Sequence, residues 1–216
     1  MSHITLIRHG QANTGARDEA SYDCLSDLGH QQAVWLGDHL RGSGSHYPRV
    51  YCGTLNRHIE TAASIGYADV VRDARLNEME YFTLAEAMRD QHGLPIPEER
   101  EGFVEHLPKV FAAWAAGEIA EPYESWESFE TRTRQVLAEI AAGEGPALVV
   151  TSGGLISVAM RQAMCLDTAA TARVTLAIMN TSMHRLFPIG GHWSPVLFNA
   201  VPHLEAPDRH FAQTHL

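Results

Sequence analysis

The sequence is poor in cysteine and contains no long apolar run. Its three cysteines are scattered and form no CxxC pair, which excludes a disulfide framework and a cysteine-based zinc site. So few cysteines are typical of the reducing cytoplasm, where thiols stay free. The first apolar run, residues 4–7, stops at Arg8 and His9, and no later stretch approaches the roughly 18 apolar residues of a membrane span. We therefore expect a cytoplasmic protein without a signal peptide or membrane segment.

The chain also lacks a net positive charge. Its formal net charge is −10 at pH 7 over 216 residues, whereas proteins that bind nucleic acid or anionic membranes need a basic surface. We expect neither partner. An anionic small molecule stays compatible with this charge, because a few converging arginines make a local positive pocket on an acidic protein. The 13 histidines are scattered without an HExxH pair, so we expect no metal site.

Alternating strand and helix patterns run along the chain without a repeat, a low-complexity tract or a linker. Apolar, β-favouring runs predict strands at residues 4–7, 49–52 and 147–151. Helical periodicity predicts helices at 27–40, 55–65, 98–116, 125–142 and 155–166. Three more β-rich runs lie at 174–179, 183–187 and 196–198, residues 11–25 predict a loop, and 73–97 has no clear period. This alternation indicates an α/β layer fold with a mostly parallel sheet.

Polar residues follow three of the predicted strands, at the edge where such sheets bind ligands. They are Arg8-His9-Gly10, Gly53-Thr54 leading to Arg57, and Ser152-Gly153-Gly154. An arginine fork suits phosphate oxygens, and a neutral imidazole can attack phosphorus. A neighbouring arginine would lower the pKa of a histidine and favour its neutral form. Gly10 would let the backbone approach the phosphate closely.

Each of these residues, taken alone, also fits a structural role. A lone histidine after a strand is more often structural than catalytic. Arg57 fits an exposed surface arginine, and Glu78 fits a solvated carboxylate like most of the 26 acidic residues. The catalytic interpretation depends on their convergence with His9.

Six ordered segments resemble the histidine phosphatase superfamily, the phosphoglycerate-mutase-like proteins. Residues 6–11, LIRHGQ, resemble its opening signature, and residues 25–33 resemble its LTxxGxxQA helix start. Residues 50–62, VYCGTLNRHIETA, are similar to VYSSPLxRAxQTA, and residues 148–154, LVVTSGG, align with VVSHGG. Residues 76–78 match its LxE, and 124–132 resemble GESxxDxxxR. The usual ending is matched by Asn180, Ser182, Trp193 and Asn199.

The resemblance covers nearly the whole chain and implies a fold. That fold is a three-layer α/β/α arrangement with a mostly parallel central sheet, phosphoglycerate mutase-like. It also implies a single domain over residues 1–216, with a helical insertion or cap around 82–125. Because the match is poorest in that segment, we expect it to determine specificity.

The resemblance implies a two-step phosphoryl transfer without a cofactor or a metal. The catalytic residues would be His9, which forms a phosphohistidine, and Glu78, which protonates the leaving alcohol and then helps to activate water. Positioning and charge stabilisation would do most of the work. The residues expected to bind phosphate are Arg8, Arg57, Ser152, Gly153, Gln11 and Asn13.

The chain departs from the family pattern where a second histidine is expected. Ser152 occupies that position and can donate only a neutral hydrogen bond, whereas a charged donor is roughly twice as strong. Losing a preorganised donor costs about 3–4 kcal/mol of transition-state stabilisation. Ser152→His would restore the histidine of the family pattern and test whether Ser152 limits the rate. His58 adjoins Arg57, but neighbours on a helix point about 100° apart, so we do not expect both to face one phosphate. Gly15 stands where many relatives have Asn, so Gln11 or Asn13 would donate instead.

Three functions stay open at this point. The first is a phosphomonoesterase acting on a small phosphorylated substrate or a phosphoprotein. The oligomeric state stays open as well, and a dimer is one state compatible with the sequence. The second is a catalytically impaired pseudophosphatase that binds a phosphorylated ligand or a protein partner, which Ser152 favours. The third is a phosphoglycerate mutase, which the absence of the ERHYG run after Glu78 disfavours.

Overall fold

The computed structural model describes residues 2–120 and 122–215 and is organised around one mixed sheet. Its strands are β1 (Ile4–Arg8), β2 (Arg49–Cys52), β3 (Val71–Arg72), β4 (Ala147–Thr151), β5 (Met183–Ile189) and β6 (His192–Ala200). They lie in the order β3-β2-β4-β1-β5-β6. The first four run parallel, and β5 and β6 add an antiparallel edge.

Helices connect the strands. They are α1 (Glu19–Tyr22), α2 (Asp27–Gly42), α3 (Asn56–Ile65), α4 (Tyr81–His92), α5 (Arg100–Ala115), α6 (Trp126–Ala142), α7 (Gly153–Met164) and α8 (Thr168–Ala177). Short 3-10 turns occupy Ala74–Leu76, Pro202–Leu204 and Pro207–Ala212. Within the described ranges, no helix combines the length and the apolar character that crossing a bilayer would take.

The sheet separates two hydrophobic clusters, which makes the fold three-layered. Along β4, Ala147 and Val149 face one cluster while Leu148 and Val150 face the other, as the two-residue period of a strand requires. One cluster takes its helical residues from α2 and α3, and the other from α4, α5, α6, α7 and α8. The expected three-layer α/β/α fold with a mostly parallel sheet is confirmed.

The strand predicted at residues 174–179 is wrong, because this stretch belongs largely to helix α8. The Asp167 carboxylate accepts from the backbone N–H of Ala170 and caps the helix. The hydroxyls of Thr171 and Thr175 donate to carbonyls one turn back, at 2.8 and 2.9 Å. The helix then buries Ala172 in the core, so packing overrides the β propensity of this run.

Besides α8, two further helices of the described residues lie where no helix was predicted. Helix α1 begins within the predicted loop, where Asp18 and Ser21 form a capping box. Helix α4 buries Leu84, Ala85 and Met88 on one face and ends at Gly93, whose φ is 69°. Helix α5 and all of α4 except its first residue lie within the segment 82–125, but the division into one domain with a cap there stays a prediction.

Strand register brings the polar loops together. Arg8 of β1 pairs with Thr151 of β4, and Cys52 of β2 pairs with Val150. The residues that follow these three strands therefore leave the sheet at one edge, side by side, as their carboxyl-terminal positions predicted.

Candidate active site

His9 follows the last residue of β1 and is almost fully buried. Its backbone N–H donates to the carbonyl of Thr151 at 2.9 Å, which ties the loop to β4. Its Nδ1 lies 2.7 Å from the carbonyl oxygen of Gly10. Because a carbonyl only accepts, Nδ1 carries the hydrogen, and Nε2 of the neutral ring keeps its lone pair. Nε2 is therefore the atom that can act as a nucleophile.

The surroundings of His9 keep its ring neutral. Burial lowers the pKa of His9 well below its usual range, and the charges of Arg57 and Arg8 lower it further. The structure thus gives this residue the form that attack on phosphorus needs.

Arg57 is buried rather than a surface residue, with a side chain only 2% exposed. Its guanidinium lies 3.1 Å from the Asp23 carboxylate and 5.0 Å from the centre of the Tyr22 ring. Its backbone N–H also donates to Asp23 at 3.2 Å. The loop 11–25 therefore orients this arginine at the start of α3.

Arg8 is buried as well, and its guanidinium donates to the carbonyl of Ile178. Among the described residues it makes no ion pair, and its Nε has no hydrogen-bond partner. A buried charge without a counter-charge is costly. An anion bound beside Arg8 and Arg57 would supply that counter-charge.

Glu78 reaches the amino-terminal end of α7. Its Oε2 accepts from the backbone N–H of Gly154 at 3.0 Å, and its Oε1 accepts from Met79 at 3.1 Å. A Cβ at position 154 would collide with Oε1 of Glu78, so this glycine makes room for the carboxylate. The predicted acid is thereby brought to the same edge of the sheet as His9.

Arg132 of α6 fixes the segment that carries Glu78. Its guanidinium donates to the carbonyls of Arg75 and Asn77, at 2.7 and 2.8 Å. It also forms an ion pair with Glu124 at 2.8 Å. This is the structural role of the segment that resembles GESxxDxxxR.

Ser152 and Gly153 lie where β4 ends and α7 begins. Gly153 lines the cleft in front of Arg8. Ser152 is fully buried, and its Oγ lies 2.6 Å from Nε2 of His58. His58 also lies close to His9, with their ring centres 5.8 Å apart. The expectation that Arg57 and His58 do not both face one phosphate stays a prediction.

Gln11 and Asn13 line the cleft but differ in their bonds. Gln11 accepts from Ser26 at 2.9 Å through Oε1, and its amide nitrogen makes no hydrogen bond within the described ranges. The amide nitrogen of Asn13 donates to the carbonyl of Ser21, and its oxygen accepts from the backbone N–H of Gly15, so Asn13 holds the loop together. Of the two side chains, only Gln11 therefore has an amide nitrogen available to a ligand.

Gly10 has a packing role that the sequence did not indicate. A Cβ there would collide with the carbonyl oxygen of Gly29 at the start of α2. Its N–H donates to Thr61 of α3 at 3.0 Å. Gly10 therefore allows α2 and α3 to pack against the loop that carries His9.

Glu19 is a site residue that the sequence did not single out. It lines the cleft from α1 and accepts from the backbone N–H of Phe82 at 2.9 Å. Burial raises the pKa of Glu19 to about 6, against the lowering effects of this hydrogen bond and of Arg57. A carboxyl group with such a pKa is a candidate proton donor near neutral pH. The only signal in the sequence was the capping pattern around Asp18.

The cleft lined by Arg8, Arg57 and Tyr22 has a volume of about 360 Å³, the size of a small-metabolite pocket. His9 does not line it, but its ring centre lies 6.2 Å from that of Tyr22. Arg8, Arg57, Glu78, Gly153 and Asn180 line its floor, and Tyr81, Phe82, Ile96, Pro97 and Phe103 are its large apolar wall residues. Glu19, Glu98 and Glu99 line it as well. The site thus combines a cationic floor with apolar and acidic walls.

A family model described as the histidine phosphatase superfamily (branch 1) matches residues 4–201. The chain is 30% identical over 101 residues to a 2,3-bisphosphoglycerate-dependent phosphoglycerate mutase of Bartonella quintana. That match covers 41% of this chain and 47% of the mutase, so the chain spans about half the length of this curated relative.

Solved structures of similar fold include both phosphatases and mutases. A mycobacterial glucosyl-3-phosphoglycerate phosphatase in complex with VO3 is 25% identical with a TM-score of 0.63, covering 92% of this chain and 98% of that one. A phosphoglycerate mutase of Bacillus anthracis is 23% identical with a TM-score of 0.67, covering 94% of each chain. The latter likeness shows the fold, and the expected phosphoglycerate-mutase-like architecture is confirmed.

Proposed function

The chain belongs to the histidine phosphatase superfamily, and we propose that it is a phosphomonoesterase that works through a phosphohistidine on His9. The observation that carries this proposal is the state of His9. Its ring is neutral, its Nδ1–H is fixed on the Gly10 carbonyl, and its free Nε2 lies among buried arginines. Family members are phosphatases and mutases, so the proposal selects one of the two activities.

In the first step, Nε2 of His9 attacks phosphorus while the phosphorus–oxygen bond to the alcohol breaks. Arg8 and Arg57 hold the phosphoryl oxygens and balance their charge. The carboxyl group of Glu78 gives its proton to the departing oxygen, so the alcohol leaves neutral.

In the second step, water attacks the phosphohistidine and the phosphorus–nitrogen bond breaks. The Glu78 carboxylate takes a proton from that water and so recovers the proton that it gave away. Its anchoring to the backbone N–H groups of Met79 and Gly154 keeps it in place through both steps.

The charges of the cleft favour a substrate with one phosphate and no second anionic group. Once a phosphate occupies Arg8 and Arg57, the other acidic or basic residues that line the cleft, among those whose side chains the structure describes, are all acidic: Glu19, Glu78, Glu98 and Glu99. A carboxylate or a second phosphate on the substrate would meet like charge there, which costs binding energy. This argues against a phosphoglycerate mutase and for a phosphate ester of a neutral or cationic alcohol with an apolar face.

Partners and location follow the same proposal. A small phosphorylated metabolite suits the volume of the cleft better than a phosphoprotein, and nucleic acid and membranes stay outside the proposal because of the acidic chain. The cytoplasm and a dimer remain expectations. The competing function is a pseudophosphatase that binds a phosphorylated ligand without turnover, and Ser152 is the observation that favours it.

The test is hydrolysis of p-nitrophenyl phosphate in the presence of EDTA by the wild type, His9→Ala and Arg57→Lys. We expect turnover by the wild type and none by His9→Ala. Arg57→Lys should lose activity although it keeps the charge, because the planar fork is gone. An acid-labile phosphoprotein, trapped by rapid quenching, should appear in the wild type only.

Two other outcomes are informative. Binding of inorganic phosphate without turnover would support the pseudophosphatase. Turnover that survives His9→Ala would refute the proposed mechanism.

A further inference from the structure

The imidazole of His58 lies against Ser152 beneath the cleft. Its Nε2 is 2.6 Å from the Ser152 hydroxyl, and both side chains are fully buried. His58 is on α3 and Ser152 is at the end of β4, 94 residues apart in sequence. The rings of His58 and His9 are 5.8 Å apart, and the sequence neighbours Arg57 and Gly153 line the cleft.

Ser152 does not perform the usual task of a serine at its position. It is the residue before the first turn of α7, where a serine hydroxyl normally accepts a hydrogen bond from the helix backbone. Here the Ser152 side chain makes no such bond, and the N–H of Gly154 donates to Glu78 instead. The hydroxyl is therefore directed to His58 and is not needed to begin the helix.

Gly53 makes room for the imidazole. A Cβ at position 53 would collide with Nδ1 of His58 and lie 2.9 Å from its Cε1. Positions 53, 58 and 152 are also three at which the chain departs from the segments that it resembles, which have Ser, Ala and His there. In the structure these three departures lie in one contact cluster, in which His58 lies against both Gly53 and Ser152.

The ring of His58 is neutral, which leaves two arrangements of the hydrogen bond. Burial lowers the pKa of His58 well below its usual range, and the charge of Arg57 lowers it further. If Nε2 carries the hydrogen, His58 donates to the Ser152 oxygen, and the hydroxyl hydrogen of Ser152 is free for a ligand. If Nδ1 carries it, Ser152 donates to His58 and has no hydrogen left for a phosphoryl oxygen.

Resting on the proposed function, we propose that His58 and Ser152 act as one unit in which His58 donates through Nε2–H to Ser152, and Ser152 donates its hydroxyl hydrogen to the transferring phosphoryl group. Ser152 is then a catalytic residue and His58 a positioning residue that fixes the direction of the hydroxyl. The unit supplies a donor to the phosphoryl group from the end of β4 while its imidazole comes from α3.

The fold contains a matched pair outside the cleft. Nε2 of His203 lies 2.8 Å from the Thr181 hydroxyl, and His203 is also buried. In both histidines Nδ1 has no hydrogen-bond partner among the described residues. His203→Ala therefore loses the same kind of hydrogen bond as His58→Ala, without touching the proposed unit.

The experiment measures kcat and KM for p-nitrophenyl phosphate, and the Kd of orthovanadate, in a set of variants. These are Ser152→Ala, His58→Ala, the double variant, His58→Gln and His203→Ala. We expect each of the first two to lower kcat about 100-fold, the usual effect of losing one preorganised donor. The double variant should lose no more than either single one, because the residues act as a unit.

His58→Gln and His203→Ala separate a positioning role from a structural one. The glutamine amide can donate from about the position of Nε2, so His58→Gln should recover part of the kcat that His58→Ala loses. His203→Ala should lower the melting temperature and leave kcat unchanged. Long-range proton–nitrogen spectra of histidine-labelled protein should show His58 with its hydrogen on Nε2, assigned by the signals lost in His58→Gln.

Vanadate binding keeps this test separate from that of the proposed function. The wild type could bind vanadate without turnover. If the Kd for vanadate is then at least tenfold higher in Ser152→Ala and His58→Ala than in the wild type, the phosphatase proposal fails and the unit stands. The unit is overturned if vanadate binding is unchanged in both variants, if their losses of kcat multiply, or if the hydrogen of His58 is on Nδ1. A wild type that neither turns over nor binds vanadate overturns both proposals.

Discussion

For Ser152→His, the sequence and the structure predict opposite effects on the rate. From the sequence alone, it restores a missing histidine and should raise the rate. In the structure, position 152 is fully buried, and the Ser152 Oγ already lies 2.6 Å from Nε2 of His58, where the new imidazole would have to fit. Two imidazoles cannot share this space without shifting their surroundings. We therefore expect the single substitution to lower both stability and kcat.

The cost of this overpacking is about 1–3 kcal/mol. For a domain of this size, 1 kcal/mol lowers the melting temperature by about 2–4 °C, so a decrease of about 2–12 °C is expected. Adding His58→Ala removes the obstructing ring and nearly conserves the buried volume, since one imidazole again occupies the cluster. The double variant should regain most of the lost melting temperature and more kcat than either single variant.

Thermal denaturation and p-nitrophenyl phosphate kinetics on the wild type, the two single variants and the double variant provide the check. His203→Ala serves as the control for loss of a buried imidazole elsewhere. A Ser152→His protein that is as stable as the wild type and faster would refute this reasoning, because it would mean that His58 does not occupy the space.

Two further predictions follow from substitutions at single positions, Glu19 and Gly53. Glu19 has a folded pKa of about 6, above its unfolded value, so its contribution to stability falls as pH rises from about 4.5 to 6. Glu19→Gln removes the charge that the folded protein must bury at pH 7. At about 1.4 kcal/mol per pKa unit, discounted for partial exposure, it should raise the free energy of unfolding by about 1 kcal/mol at pH 7 and leave it unchanged at pH 4. Urea denaturation showing the same change at both pH values would contradict this. Gly53→Ala should displace the ring of His58 and lower kcat together with the melting temperature. Gly15→Ala, where the new Cβ would make only an ordinary van der Waals contact with Asn13 at 3.6 Å, should change neither; equal effects of the two would contradict the role of Gly53.

Much of the site could be predicted because its residues follow local patterns. His9 and Ser152 each stand two residues after an apolar run, and Glu78 stands in a short recognisable segment. Parallel strands end at a common edge, so residues after them must meet whatever the details of packing. The structure brings Arg8, His9, Arg57 and Glu78 to that edge, although their catalytic roles still await the experiments above.

The sequence by itself determined strands β1, β2, β4, β5 and β6, helices α2, α3, α5, α6 and α7, and the end of the sheet at which polar residues gather, because these depend on periodicities within short segments. Only the tertiary structure decided the rest. Residues 174–177 became helix because the core buried Ala172 and not because of local propensity. The contact of His58 with Ser152 spans 94 residues, and the shifted pKa of Glu19 comes mainly from its burial. Such contacts and environments arise from packing between distant segments, which no local pattern records.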